Sequence, residues 1–209
     1  MPRTDMDDAI VLPPGTVRGE VELITDGEHF DRVVRDALLK AKVSVAIATA
    51  DVKAMLVPIG AGGEAQSVIR HLAQMAERGV EVRLLHGSVP SSEAIEELKR
   101  IARSRRRGGM RPRDAELPAG MVLRRCPRMH AKAVIVDAGW MYLGSANLTG
   151  AGMGAKSAAR RNFELGVCTR STAMIESVLA GFNELWEGGR CGGCGRRAIC
   201  PAPLEEPRV

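Results

Sequence analysis

A histidine, a lysine, a serine and an asparagine lie close together in Met129–Gly150. His130 and Lys132 are separated by one residue, so on the strand that "HAKAVIVD" predicts, both side chains project from the same face. Ser145 and Asn147 are also one residue apart, in a predicted turn that contains small residues. Each pair alone is weak evidence for a site. Together they supply an imidazole, a fixed cation, a hydroxyl and an amide, which are groups suited to holding a tetrahedral phosphate.

The complete spacing, H-x-K-x(4)-D-x(6)-G-S-x-N, is much more specific, and it resembles the HKD motif of the phospholipase D superfamily. The matching residues are His130, Lys132, Asp137, Gly144, Ser145 and Asn147. The segment "NFELGV" is similar to a downstream part of that family, and Glu164 matches its acidic residue. A single copy of the motif is similar to the Nuc-like subgroup of small bacterial nucleases.

The resemblance implies a phosphodiesterase reaction in two steps. One histidine attacks phosphorus to form a phosphohistidine, and a second protonates the leaving alcohol and then activates water. Lys132, Ser145 and Asn147 are implied to bind the non-bridging oxygens, so no catalytic metal is expected. Glu164 is implied to orient a histidine. We interpret Asp137 as mainly structural, because it lies five residues past Lys132, about 16 Å away on an extended strand.

This reaction needs two histidines, and the chain has one HKD motif. His29, His71 and His86 have no lysine two residues later and no Ser-x-Asn turn behind them, so we interpret them as structural or surface residues. The second half of the site must then come from another chain. We expect a homodimer whose twofold axis brings two copies of His130 into one shared active site.

The C-terminal tail contains a cluster of cysteines with the spacing C-x(2)-C-x(5)-C, at Cys191, Cys194 and Cys200. Such spacing is typical of metal ligands. Cys126, in the loop before the motif, is favoured as fourth ligand over Cys168, which lies in an apolar strand. The spacing is similar to the iron–sulfur staple of RecB-like nucleases, and "CGGCG" resembles a zinc knuckle. A structural [4Fe–4S] cluster and a structural zinc ion are both left open.

Basic residues are concentrated in clusters, although the net charge is only +5. Lys99–Arg113 holds eight Lys or Arg and no acid. Such clusters attract polyanions by neutralising phosphates, and a solvated loop is the alternative for the arginine run. The candidate substrate-binding residues are Arg105, Arg106, Arg107, Arg125 and Arg128.

These properties favour a nuclease or DNA-end phosphodiesterase, with DNA preferred to RNA. The sequence lacks the apolar run of ~20 residues that spans a bilayer and the apolar stretch of a secretory signal, so we expect a cytoplasmic location and no membrane insertion. With aromatic residues at 3%, contacts to the nucleic-acid backbone should dominate over base stacking. A phospholipase or other phosphodiesterase, and a non-catalytic nucleic-acid-binding module in a repair or defence assembly, are the alternatives.

The elements that must position these residues alternate between strand and helix patterns. They predict an α/β fold in which a mixed β-sheet is flanked by helices, as a phospholipase D-like α/β/α sandwich. Helices are predicted from Asp26 to Lys40, Glu64 to Arg78, Ser91 to Arg103 and Ser171 to Trp186. We expect an N-terminal extension over residues 1–20, a catalytic domain over 21–188 with a basic loop at 103–118, and a metal-binding tail over 189–209.

Overall fold

A seven-stranded mixed sheet forms the centre of the molecule. The computed structural model describes residues 17–58, 65–105 and 116–200. In these ranges the strands are β1 (Glu22–Thr25), β2 (Ser44–Thr49), β3 (Leu56–Pro58), β4 (Ala65–Ser67), β5 (Glu81–His86), β6 (Met121–Arg125), β7 (Ala133–Val136), β8 (Trp140–Gly144) and β9 (Leu165–Thr169). The α-helices are α1 (Val68–Glu77), α2 (Ser92–Ser104) and α3 (Thr172–Trp186).

The strand order in the sheet is β1-β9-β8-β7-β2-β5-β6, with β3 and β4 forming a separate pair. β2, β5 and β6 are mutually parallel, whereas β7 pairs antiparallel with both β2 and β8, and β9 pairs antiparallel with both β8 and β1. The carboxyl ends of five strands therefore meet the amino ends of β7 and β9 at one end of the sheet. The predicted mixed sheet flanked by helices is confirmed.

Two apolar cores lie on the two faces of this sheet, and the alternation along β2 shows how its sequence builds both. Val45 and Ile47 belong to the core beneath α1 and α2, and Ala46 and Ala48 to the core beneath α3. A strand buried on both faces reads as a continuous apolar run, which explains the composition of "VSVAIATA". Among the described residues, no helix combines the length and apolar character needed to cross a membrane.

Three predicted elements differ from the structure. The predicted helix from Asp26 to Lys40 is a π-helical segment, Phe30–Arg35, followed by a short 3-10 helix, Leu38–Lys40. Its apolar residues face the core, since Val33, Val34 and Leu38 are almost fully buried. The segment is helical as predicted, but it consists of two short helices and not of one continuous helix.

The second difference concerns α1, which begins at Val68 and not at Glu64. Ser67 caps it by accepting a hydrogen bond from Ile69 N at 3.2 Å, and the residues before it form β4. The third concerns the strand predicted for "HAKAVIVD", which starts only at Ala133. His130 and Lys132 thus lie in the segment that leads into β7.

Candidate active site

The motif residues come together at one end of the sheet. His130 and Lys132 precede the amino end of β7, Ser145 and Asn147 follow the carboxyl end of β8, and Glu164 precedes the amino end of β9. Because β7, β8 and β9 are antiparallel neighbours, these three ends are adjacent. Strand pairing therefore assembles residues that the sequence spaces far apart.

His130 is exposed, and the ammonium group of Lys132 lies against it. Lys132 Nζ is 3.3 Å from both ring nitrogens of His130 and donates a hydrogen bond to the His130 backbone oxygen at 2.8 Å. The backbone oxygen of Lys132 accepts a hydrogen bond from Gly144 N at 3.2 Å, which fixes this segment to β8. An imidazole and a cation thus share one surface, as the sequence spacing predicted.

The turn after β8 is held by the side chain of Asn147. Its Oδ1 accepts hydrogen bonds from the backbone N–H groups of Ala50 and Asp51, at 3.0 and 3.2 Å, and from the Thr49 hydroxyl at 3.2 Å. With the carbonyl end of the amide fixed against the carboxyl end of β2, Nδ2 is turned the other way. Asn147 therefore connects two strand ends and keeps one donor group for other contacts.

Glu164 is buried and its carboxylate has two side-chain partners. Oε2 accepts a hydrogen bond from the Ser145 hydroxyl, and Oε1 accepts one from Asn162 Nδ2 at 2.9 Å. Asp26 forms two hydrogen bonds with the backbone of Glu164: Asp26 N donates to Glu164 O, and Asp26 Oδ1 accepts from Glu164 N, both at 2.9 Å. The position of Ser145 therefore depends on Glu164. The expected contact between Glu164 and a histidine of the catalytic pair is not formed within the described chain.

Asp137 lies at the opposite end of β7 from His130. Its carboxylate accepts hydrogen bonds from the backbone N–H groups of Lys42, Val43 and Ser44 at 2.8 to 3.2 Å. Partial burial acts to raise the pKa of this carboxyl, but the three backbone donors outweigh it and the pKa lies below its ordinary value. Asp137 therefore anchors the start of β2.

Gly144 and Gly166 allow β8 and β9 to approach closely below the site. A Cβ at Gly144 would lie 2.4 Å from the Tyr142 hydroxyl oxygen and 2.6 Å from Leu165 O, and one at Gly166 would lie 2.3 Å from the Tyr142 ring. Tyr142 is fully buried, and its hydroxyl accepts a hydrogen bond from Ala146 N at 3.1 Å. The glycine of the motif is thus required by packing.

The other three histidines are inside or partly inside the protein. His29 is fully buried, its Nδ1 donates a hydrogen bond to Asp26 O at 3.0 Å, and its ring packs edge-on against Tyr142. His86 is fully buried, with Nδ1 2.8 Å from Ser88 O, and His71 lies half-buried on α1. Burial lowers the pKa of both His29 and His71. His130 is the exposed histidine among the four, all of which the structure describes.

The predicted basic residues are not all at the site. Arg125 ends β6 at the same end of the sheet as the motif, and Arg128 is two residues before His130. Arg105 follows α2 at the opposite end, where it forms an ion pair with Glu77 at 2.6 Å. Arg105 therefore lies away from the motif residues, because α2 runs back along the sheet, and its role in substrate binding stays a prediction. Arg106 and Arg107 lie outside the described residues.

The structure separates the two candidates for a fourth metal ligand. Cys126 lines one cavity together with Cys191, Cys194 and Cys200. Cys168 lies on β9, where burial raises the pKa of its thiol to about 11, and it lines a different groove. All five cysteines are described, and none forms a disulfide. Among the described residues, no group of three or more His, Cys, Asp or Glu side chains is arranged to hold a metal ion.

Three residues that support the site were missed from the sequence. Asp26 bonds to the backbone of Glu164, and Asn162 bonds to the Glu164 carboxylate. The third residue, Thr49, bonds to the Asn147 side chain. Asn162 stands two residues before Glu164 in "NFE", so the local sequence carried a signal for it. Asp26 is 138 residues from Glu164 in sequence, and nothing in the local pattern indicates that contact.

Comparison with known proteins places this geometry in a family. The family described as "Cardiolipin synthase, PLD-like domain" matches residues 34–186, which is well over half of the chain. The chain belongs to the phospholipase D superfamily. No curated protein matches the sequence.

Solved structures of phospholipase D-like proteins have the same fold. Nuc from Salmonella typhimurium, a phospholipase D family member, is 20% identical with a TM-score of 0.56, and the match covers 92% of this chain and all of Nuc. NucT from Helicobacter pylori is 15% identical with a TM-score of 0.52, and the match covers 81% of this chain and 97% of NucT. The phospholipase D-like fold thus extends over nearly the whole length of both relatives.

Proposed function

We propose that this phospholipase D-like chain is a metal-independent phosphodiesterase that cleaves nucleic acid, most favourably DNA, at a site shared by two copies of the chain. The observation that carries the proposal is the exposed imidazole of His130 with Lys132 Nζ 3.3 Å from its ring, beside the turn that holds Ser145 and Asn147. This arrangement combines a nucleophile with groups that bind phosphate oxygens.

In the first step, a ring nitrogen of one His130 attacks phosphorus. The N–P bond forms while the bond from phosphorus to the leaving oxygen breaks, and the protonated His130 of the second copy donates its proton to that oxygen. Water then gives a proton to the second His130 and attacks phosphorus, and the N–P bond breaks. Lys132 neutralises the charge that develops on the phosphoryl oxygens in both steps.

A second copy is needed because no other histidine in the chain is exposed beside the motif. An apolar surface next to the site is suited to bind that copy. Phe163, adjacent to Glu164, is 96% exposed, and Leu165 and Leu23 are 62% and 66% exposed. β1 and β9 pair in a register that places Leu23 and Leu165 on the same face of the sheet. Exposed apolar residues grouped in this way are typical of a protein interface.

A basic groove beside the site supports a polyanionic substrate. A groove of about 430 Å³ starts at Thr149 and Gly150, just after the motif turn, and includes Lys53, Lys156 and Arg160 together with one acid, Glu93. Arg125 and Arg128 lie at the same end of the sheet. Spaced cations that lead to one phosphate-binding site suit a nucleic-acid backbone better than a single lipid headgroup.

The test is cleavage of labelled single- and double-stranded DNA and RNA by the purified chain in excess EDTA. We expect cleavage that persists in EDTA and is abolished by His130→Ala, with His71→Asn as the control histidine away from the motif. DNA binding without cleavage would favour a non-catalytic module, and hydrolysis of phospholipid vesicles alone would favour a phospholipase.

Subunit mixing tests the shared site quantitatively. If subunits exchange freely in an equal mixture of wild type and His130→Ala, about one quarter of the dimers keep both histidines, so activity per total protein should be about one quarter of the wild-type value. Independent monomers would retain about one half under the same statistics. An active species that sediments as a monomer would also reject the shared site.

A further inference from the structure

Four cysteines from two distant parts of the chain surround one cavity. The cavity has a volume of about 180 Å³, and its cysteines are Cys126, Cys191, Cys194 and Cys200. The first comes from the turn after β6, and the other three come from the tail beyond α3. Nothing in the phosphodiesterase reaction uses these side chains, so their convergence needs a separate explanation.

The turn that carries Cys126 is tightly fixed. Cys126 N donates a hydrogen bond to His86 O at 2.8 Å, and Cys126 O accepts one from Met129 N at 2.8 Å. The turn therefore holds Cys126 against the carboxyl end of β5. It also places Cys126 four residues before His130, so whatever binds this sulfur is mechanically connected to the catalytic segment.

The tail folds in a series of tight turns without an apolar core of its own. Cys191 N bonds Gly188 O at 2.9 Å and Cys194 N bonds Cys191 O at 3.2 Å, while Gly193 adopts a left-handed φ of 68°. Between Arg190 and Cys200 the large apolar residue is Ile199, and it is 50% exposed. A segment with so little buried apolar surface usually needs a cross-link or a metal to stay folded.

The surroundings of the cavity are positively charged. Arg128, Arg190 and Arg196 line it along with the cysteines, no carboxylate is among its described lining residues, and Arg128 Nη1 lies 3.8 Å from Cys194 Sγ. Four thiolates around a metal centre carry a net negative charge. Arginine donors that approach the ligand sulfurs compensate this charge and bond to the sulfurs.

The cavity between the thiols favours a polynuclear centre. Thiolates that share one zinc ion stand about 4 Å apart, because each Zn–S bond is about 2.3 Å. The four cysteines line a cavity of about 180 Å³, which leaves space between them for more than one metal ion. A [4Fe–4S] cluster takes one cysteine per iron, and its core fills the space between the sulfurs.

We propose that Cys126, Cys191, Cys194 and Cys200 are the ligands of a [4Fe–4S] cluster that fastens the C-terminal tail to the turn before His130. We assign the cluster a structural role, since it lies outside the motif and its four cysteines leave no iron open to a substrate. The proposal is independent of the proposed nuclease activity, because metal content and absorption report it directly.

The experiment is anaerobic purification of the full chain, followed by measurement of iron, acid-labile sulfide, zinc and visible absorption. We expect about four irons and about four sulfides per chain, with the brown colour of an iron–sulfur protein. Cys126→Ser should lose most of the iron and the visible absorption. Cys168→Ser is the matched control, because Cys168 is a buried cysteine outside the cavity, and it should keep both.

Three outcomes would overturn the assignment. They are about one zinc per chain in place of iron, no bound metal in the anaerobic protein, or equal iron loss in the Cys168→Ser and Cys126→Ser variants. Should Cys126→Ser fail to fold, Cys194→Ser on the half-buried tail replaces it. The metal content of the wild-type chain tests the proposal without any variant.

Discussion

The role of Asp137 gives the sharpest prediction, because its place in the motif and its place in the structure suggest different roles. Its carboxylate bonds three successive backbone N–H groups, those of Lys42, Val43 and Ser44. In Asp137→Asn the side chain keeps one carbonyl acceptor but loses the charge and turns an N–H group towards a donor. Asparagine also tolerates the left-handed backbone here, where φ is 51°, so little strain is added.

The size of the effect follows from the bonds that are lost. A hydrogen bond to a charged group contributes about 1 kcal/mol more than a neutral one, so three such bonds give an upper limit of about 3 kcal/mol. Because the side chain is exposed, solvent screening reduces this value, and we expect Asp137→Asn to lower the free energy of unfolding by about 1–2 kcal/mol. Phosphodiesterase activity per folded molecule should be nearly unchanged.

The pH dependence has a definite sign. The folded pKa of Asp137 lies below its ordinary value of 3.8, so the charged form stabilises the folded state. This contribution is fully present above pH 3.8 and is lost as the pH falls through the folded pKa. The difference between wild type and Asp137→Asn should therefore be largest near neutral pH and shrink in acid.

Urea denaturation at fixed protein concentration and several pH values measures this difference, alongside hydrolysis of bis-p-nitrophenyl phosphate. Asp31→Asn is the control, because Asp31 is an exposed acid paired with Arg35 at 2.8 Å and should change stability by less than about 0.5 kcal/mol. Unchanged stability together with lost hydrolysis in Asp137→Asn would refute the reasoning, since Asp137 would then take part in the chemistry.

Three further predictions test the core, the groove and the remaining cysteine. Tyr142→Phe leaves the buried Ala146 N–H without its acceptor, so urea denaturation should show a loss of about 1–2 kcal/mol, and an unchanged midpoint would contradict this bond. Reversing the charges of Lys156 and Arg160 should reduce the slope of the logarithm of the DNA-binding constant against the logarithm of the salt concentration by about two. Fluorescence anisotropy with labelled DNA measures this slope, and an equal slope in the variant and the wild type would exclude the groove as the DNA-binding surface. Burial raises the pKa of the Cys168 thiol to about 11, against an ordinary value of 9.0, so its thiolate fraction at pH 8 should be about a hundredfold lower than that of an exposed cysteine. Cys168 should therefore resist alkylation by iodoacetamide, and rapid labelling seen by mass spectrometry would disprove its burial.

The shared face of His130 and Lys132 was predictable from local geometry, whereas the complete motif was recognised by its resemblance to the phospholipase D superfamily. Two residues one apart in an extended segment share a face, which the contact between Lys132 and His130 reproduces even though the regular strand begins only at Ala133. The mixed sheet was predictable from the alternation of strand and helix patterns. The interpretation of Asp137 also rested on distance along a strand, and the structure places this residue at the far end of β7.

Long-range contacts set the limit of what the sequence could indicate. The arginine run was grouped by its position in the chain, but the direction of α2 takes Arg105 to the end of the sheet away from His130. Likewise, the choice between Cys126 and Cys168 depended on which one the tail reaches, and only the packing of the tail against the turn after β6 decides this. Neither outcome follows from local periodicity.

The pairing of β1 with β9 determines when during synthesis the site can form. Asp26 follows β1 and bonds to the backbone of Glu164 just before β9. This hydrogen bonding therefore connects the segments next to the first and the last strand of the sheet in chain order. On a ribosome that makes the chain from its N-terminus, Glu164 and β9 emerge after every other strand. A partly made chain already carries His130 and Lys132 but has no anchored Glu164 to hold Ser145. The order of the strands thus delays assembly of the candidate site until β9 has been made.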